Sequence, residues 1–111
     1  MLTVRDMVKQ AQADMLGDLA PADARAMLVR LTSLLGNCAD EQREADLAYA
    51  LVLRDAFAAE SKSNRAKIVA ECSPEYTRSR LARDTARQVL EMVRTLKAYM
   101  RSVDEEMRLT R

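Results

Sequence analysis

The sequence predicts an all-α fold: an N-terminal pair of short helices, then a long antiparallel, coiled-coil-like helical hairpin. Three observations predict it. Turn formers and strand formers are scarce, with 2 Gly, 2 Pro, 1 Phe, 3 Tyr and no Trp in 111 residues, whereas sheets need both. Ala, Leu, Arg, Glu and Met dominate, and all are good helix formers. Finally, the last third of the chain holds an apolar heptad without a Gly or Pro to interrupt it. Apolar residues make up 49%, too many for a disordered chain.

The first helix starts at Thr3, an N-cap, with Asp6 at the capping-box position usually held by Glu or Gln. Val4, Met7, Val8, Ala11 and Met15 recur at helical spacing, and Gly17 is expected to stop the helix in a left-handed conformation. Pro21 suits the first position of a second helix, where its missing N–H costs nothing. Ala24, Met27, Leu28, Leu31, Leu34 and Leu35 form its apolar stripe, which Gly36-Asn37 is expected to end. A third helix is expected from Asp40, because Asp40, Glu41 and Glu44 favour the positive end of a helix dipole. Its middle, Leu47 to Leu53, is seven apolar residues in a row, so apolar side chains point all round.

Ser61 to Asn64 predicts a break, since Ser and Asn compete with the helical hydrogen bonds, and helix resumes to about Cys72. Ser73-Pro74-Glu75 then combines an N-cap, a first-position proline and a first-turn acid. From there one helix is expected to about Leu109, some 35 residues or roughly 50 Å. Ala82, Ala86, Val89, Val93, Leu96, Met100, Val103 and Met107 fall at a and d positions. Such a helix needs an equally long partner, and 40–72 matches it in length. Residues 1–36 are therefore read as the helical pair and 37–111 as the hairpin, turned near Ser73-Pro74, together one domain.

The chain has no His, which excludes His-dependent catalysis and His metal sites. Its 18 basic and 17 acidic residues leave no overall electrostatic footprint for nucleic acid. Cys38 and Cys72 are too few for a structural zinc site and are expected to be reduced thiols. Met1–Gln10 carries Arg5, Asp6 and Lys9 and lacks the apolar core of a secretory leader. No apolar run is long enough to span a membrane.

Arg80, Arg87, Arg94 and Arg101 recur every seven residues on the outer face of the last helix. They form a possible nucleic-acid face, but Asp84, Glu91 and Glu105 lie three or four residues away and are expected to pair with them. A helix-turn-helix at Gly36 is disfavoured by the acids that open the following helix. Glu41 and Glu44 share a helix face as the metal-binding carboxylates of all-α nucleotide pyrophosphohydrolases do. The Glu-x-x-Asp partner is missing, however: Glu60 precedes Ser63 and Glu71 precedes Pro74. Cys72 has no activating base. Neither a catalytic residue, a cofactor site nor a metal site is expected.

Three segments carry a resemblance. They are Ala45–Ala50 (Ala-Asp-Leu-Ala-Tyr-Ala), Arg65–Glu71 (Arg-Ala-Lys-Ile-Val-Ala-Glu), and Leu96–Arg108 with its Asp-Glu-Glu-Met-Arg ending. Over about residues 44–108 the chain resembles small all-helical bacteriophage and prophage accessory proteins, encoded near recombination and replication functions and mostly without an assigned activity. The resemblance implies a phage or prophage origin and hence the host cytoplasm.

The expectation is a non-enzymatic, oligomerising helical interaction protein acting through a protein partner. Leu47, Tyr49, Leu51, Val52 and Leu53 are expected to form the interface of a homodimer or higher even oligomer. A nucleic-acid-binding accessory, using the arginine row with Lys62, Arg65 and Lys67, is the first alternative. A degenerate magnesium-dependent nucleotide pyrophosphohydrolase is the second. No membrane partner is expected.

Overall fold

A computed structural model describes residues 3–15, 17 and 19–110. Four helices follow one another: α1 (Val4–Met15), α2 (Pro21–Ala59), α3 (Ser63–Glu71) and α4 (Pro74–Leu109). No strand occurs among the described residues, so the fold is all-α with a long helical hairpin.

The starts predicted at Thr3 and Ser73 hold in atomic detail, whereas the one expected at Asp40 falls inside α2. The Asp6 amide donates to Thr3 Oγ1 at 3.1 Å, and the Thr3 amide donates to Asp6 Oδ2 at 3.2 Å. This reciprocal pair satisfies two of the donors that a helix N-terminus leaves open. Hydrogen bonds from the Thr3 side chain and then from its backbone amide hold the exposed Asp6 carboxyl below its ordinary range. At the last helix the Tyr76 amide donates to Ser73 Oγ at 3.3 Å, while that hydroxyl donates to the Ala70 carbonyl. Ser73 thus closes α3 and opens α4 at once.

Two expectations fail. α2 does not end at Gly36-Asn37 but continues as one helix of 39 residues. An interior glycine costs about 1 kcal/mol relative to alanine, too little to outweigh the burial of Leu31, Leu34, Cys38 and Ala45 on either side of it. The second and third predicted helices are therefore one. Nor is Gly17 left-handed, since no described glycine has a positive φ. Leu16 and Asp18, its neighbours, lie outside the described residues.

The chain divides into two compact units. The first joins Met1–Asn37 to Arg87–Arg111, so it holds α1, the start of α2 and the end of α4. Its buried side chains include Val8, Ala11, Ala24, Met27, Leu31, Val89, Met92, Val93 and Leu96. Arg30 pairs with Asp14 at 3.1 Å and Gln88 bonds Gln12 at 2.6 Å. The Tyr99 hydroxyl donates to the Leu19 carbonyl at 2.6 Å, which sets the start of α2 beside Tyr99. Burial along the heptad accordingly fades beyond that level. Leu96 is 2% exposed, Met100 and Val103 are half-buried, and Met107 is 55% exposed.

The second unit, Cys38–Ala86, is built on antiparallel stretches of α2 and α4, with α3 between them in sequence. Tyr49 meets Tyr76 with ring centroids 5.2 Å apart, and three residues earlier on α2 Asp46 accepts from Ser79 Oγ, three residues later on α4. Its small core is Ala56, Ala66 and Ala70. Alanines let α3 approach α2 closely, and half-buried Tyr49, Val52 and Leu53 fill the remaining space.

Candidate functional site

The second unit contains the predicted interface segment and divides it. Tyr49, Val52 and Leu53 pack against the alanine core. Burial and then the Glu71 carboxylate push the Tyr49 phenol up from its ordinary value. Leu47 and Leu51 remain outside, 62% and 44% exposed. Helical geometry explains the split. Residues 45, 49, 52 and 56 lie within about 60° of one another and face the interior, whereas residue 47 points about 200° from residue 45. The short α3 covers part of what the sequence left open, and the side of α2 bearing Leu47 and Leu51 stays largely open among the described residues. Phe57, Ile68, Val69 and Leu81 are also exposed in this unit.

Glu41 and Glu44, the candidate metal carboxylates, are held by a cation. Arg78 Nε reaches Glu41 Oε1 at 2.9 Å and Nη2 reaches Oε2 at 3.2 Å, a bidentate pair, and Glu44 lies 3.6 Å away. The Glu41 hydrogen bond and charge raise the Arg78 pKa further. Arg83 approaches Asp46 at 3.9 Å. No group of three or more His, Cys, Asp or Glu among the described residues could hold a metal ion. Sequence reasoning missed Arg78, since the helix that carries it is 37 residues from its partner. The available clue was an acid pair without a second acid pair, which leaves a cation as the natural counterpart.

The four row arginines are all exposed on α4 but differ in partners. Arg94 pairs with Glu91 at 2.8 Å. Arg80 stands over the Tyr76 ring, 5.8 Å from its centroid, a cation–π contact. Arg87 and Arg101 have no ion pair among the described residues, contrary to the expectation that every member of the row would be neutralised locally. An i,i+3 or i,i+4 spacing permits such a pair, but at an exposed site it yields only a few tenths of a kcal/mol.

Both cysteines are free thiols, Cys38 buried and Cys72 exposed. Burial raises the Cys38 pKa, which keeps it protonated and unreactive. The first unit has a cleft of about 600 Å³ lined by Met15, Gly17, Leu19, Ala20, Pro21, Thr95, Leu96 and Tyr99. It contains no charged side chain among these, and the Tyr99 hydroxyl is already spent on Leu19. No helix among the described residues is long and apolar enough to cross a membrane.

No family model, curated protein or solved structure matches the chain.

Proposed function

We propose that this chain is a non-enzymatic helical interaction protein that self-associates and acts through a protein partner in the cytosol, as a phage-encoded accessory would. The observation that supports it most is the pair Leu47 and Leu51, one helical turn apart on the open side of α2 and 62% and 44% exposed. Burying one leucine is worth roughly 1.5–3 kcal/mol, so this side of the helix gains by being covered. The resemblance of residues 44–108 to small phage accessory proteins points the same way. Bidentate capture of Glu41 by Arg78 disfavours the nucleotide-hydrolase alternative. Sedimentation equilibrium at micromolar concentration tests the reading. A dimer or larger even oligomer is expected, and a clean 12.5 kDa species would refute it.

A second reading is favoured by one observation, the absence of ion pairs at exposed Arg87 and Arg101. Cations without local partners are the ones that phosphates can recruit. A single-stranded DNA shift assay at about 150 mM salt separates the two readings. The leading reading expects no tight binding. Sub-micromolar binding that weakens steeply with salt would put the nucleic-acid reading first.

A further inference from the structure

The open side of α2 has a charge pattern that selects one way of docking a second copy. Asp40 and Ala58 are eighteen residues apart within one helix, about five full turns, so they mark a straight line along its surface. Leu47 and Leu51 sit about 20° to either side of this line. Arg43 and Arg54 lie about 40–60° to one side, and Glu44 and Asp55 lie as far to the other. These four charged side chains are each at least 70% exposed. The result is a two-leucine ridge with a basic flank and an acidic flank.

We infer that a second copy of this chain docks on this face with its α2 parallel to the first, about a two-fold axis running along the helices. This rests on the self-association proposed above and specifies its geometry. A two-fold contact must be self-complementary, and only two arrangements of neighbouring helices satisfy it. In the antiparallel one, like flanks meet: Arg43 faces Arg54 of the second copy and Glu44 faces its Asp55. In the parallel one, opposite flanks meet, so Arg54 reaches Asp55 of the second copy and Arg43 reaches its Glu44. Leu47 and Leu51 then meet their own counterparts across the axis. In the single chain Arg54 bonds its neighbour Asp55 at 3.1 Å and Arg43 lies 3.5 Å from Asp40. Docking exchanges the Arg54–Asp55 pair for its equivalent across the seam, and places Arg43 between its own Asp40 and Glu44 of the second copy. Asp40 nears its counterpart at one end, where Arg43 holds it. A single-helix seam of about five turns is smaller than a standard interface, so the dimer is a weak one that dissociates on dilution.

Two measurements test the geometry, both in a Cys72→Ser background that keeps only the buried Cys38 besides the introduced thiol. Asp40→Cys and Ala58→Cys are cross-linked separately and then mixed. In the parallel dimer each variant cross-links to itself. In an antiparallel dimer a residue at position 40 stands about 27 Å along the helix from its counterpart, so cross-links appear only between the two variants. The second measurement is a charge reversal followed by sedimentation. Arg54→Glu should weaken the parallel dimer about five- to tenfold, and adding Asp55→Arg should restore it. An antiparallel dimer would instead be tightened by Arg54→Glu, which then faces Arg43. Cross-links confined to the mixture, or tightening by Arg54→Glu, overturn the parallel geometry. A dimer that neither cross-links at these sites nor responds to the charge change overturns this surface while leaving self-association standing. A monomer at all concentrations overturns both.

Discussion

Leu96 and Met107 occupy the same heptad stripe of α4, yet truncating them should have unequal effects. Leu96 is 2% exposed and Met107 is 55% exposed. Leu96→Ala removes three buried carbon atoms, worth about 0.8 kcal/mol each in transfer, and the cavity left behind brings the loss to about 2–5 kcal/mol. Met107→Ala removes atoms that already touch water, so its loss should stay below about 1 kcal/mol. Arg94→Ala, which breaks only an exposed pair with Glu91, should cost under about 0.5 kcal/mol. Urea melts followed by far-UV circular dichroism measure all three. Equal losses at Leu96 and Met107 would show that α4 is covered along its whole stripe, and the account of its fading burial would be wrong.

Three further outcomes are expected. Gly36 lies inside α2, and an added Cβ would find nothing within 4 Å, so Gly36→Ala should stabilise the chain by about 0.5–1 kcal/mol in the same melts; a loss would contradict the continuous helix. The Thr3 hydrogen bonds lower the Asp6 pKa in the folded chain, so Asp6 contributes stability that is present above its unfolded value of about 4 and lost as pH falls through the folded value. Asp6→Asn should flatten that acid limb of a pH–stability profile, and an unchanged limb would rule the pair out as its source. One thiol should react with a disulfide reagent in the native protein and the second only on unfolding, because Cys72 is exposed and Cys38 is buried. Rapid native loss of both would show that Cys38 is reachable.

The helix starts at Thr3 and Ser73 were legible because they depend on a few adjacent residues, whereas the acids at Asp40, Glu41 and Glu44 suggested a start that lies inside α2. Thr3 with Asp6, and Ser73 with Pro74, carry their own donors, acceptors and fixed φ, and the structure uses each as expected. Helix ends were less legible, because glycine only lowers the cost of stopping. At Gly36 the apolar stripe continues on both sides, and packing of Leu34 and Cys38 keeps the chain helical. The heptad of α4 was legible as a pattern, but the extent of its cover was not. Where α2 begins relative to α4 depends on the Tyr99–Leu19 hydrogen bond, a contact across 80 residues that periodicity along one helix does not encode.

The run from Leu47 to Leu53 shows how far pattern reading reaches into the candidate site. Seven apolar residues in a row require cover on more than one side, but the pattern does not say whether that cover comes from the same chain. α3 supplies a part, through Ala66 and Ala70, and Tyr76 of α4 supplies another. What remains is two leucines between a basic and an acidic flank, a much smaller surface than the sequence suggested. Its smallness changes the physical argument. Seven uncovered apolar side chains would drive association by hydrophobic burial alone, with little preference for geometry. Two leucines supply only a few kcal/mol, a scale at which exposed charge pairs worth a few tenths each, counted twice across a two-fold axis, decide the orientation. Leu51→Glu should therefore abolish association, while Arg54→Glu should only weaken it and Arg54→Glu with Asp55→Arg should recover it. If Arg54→Glu proved as damaging as Leu51→Glu, burial would not be the main attraction at this face.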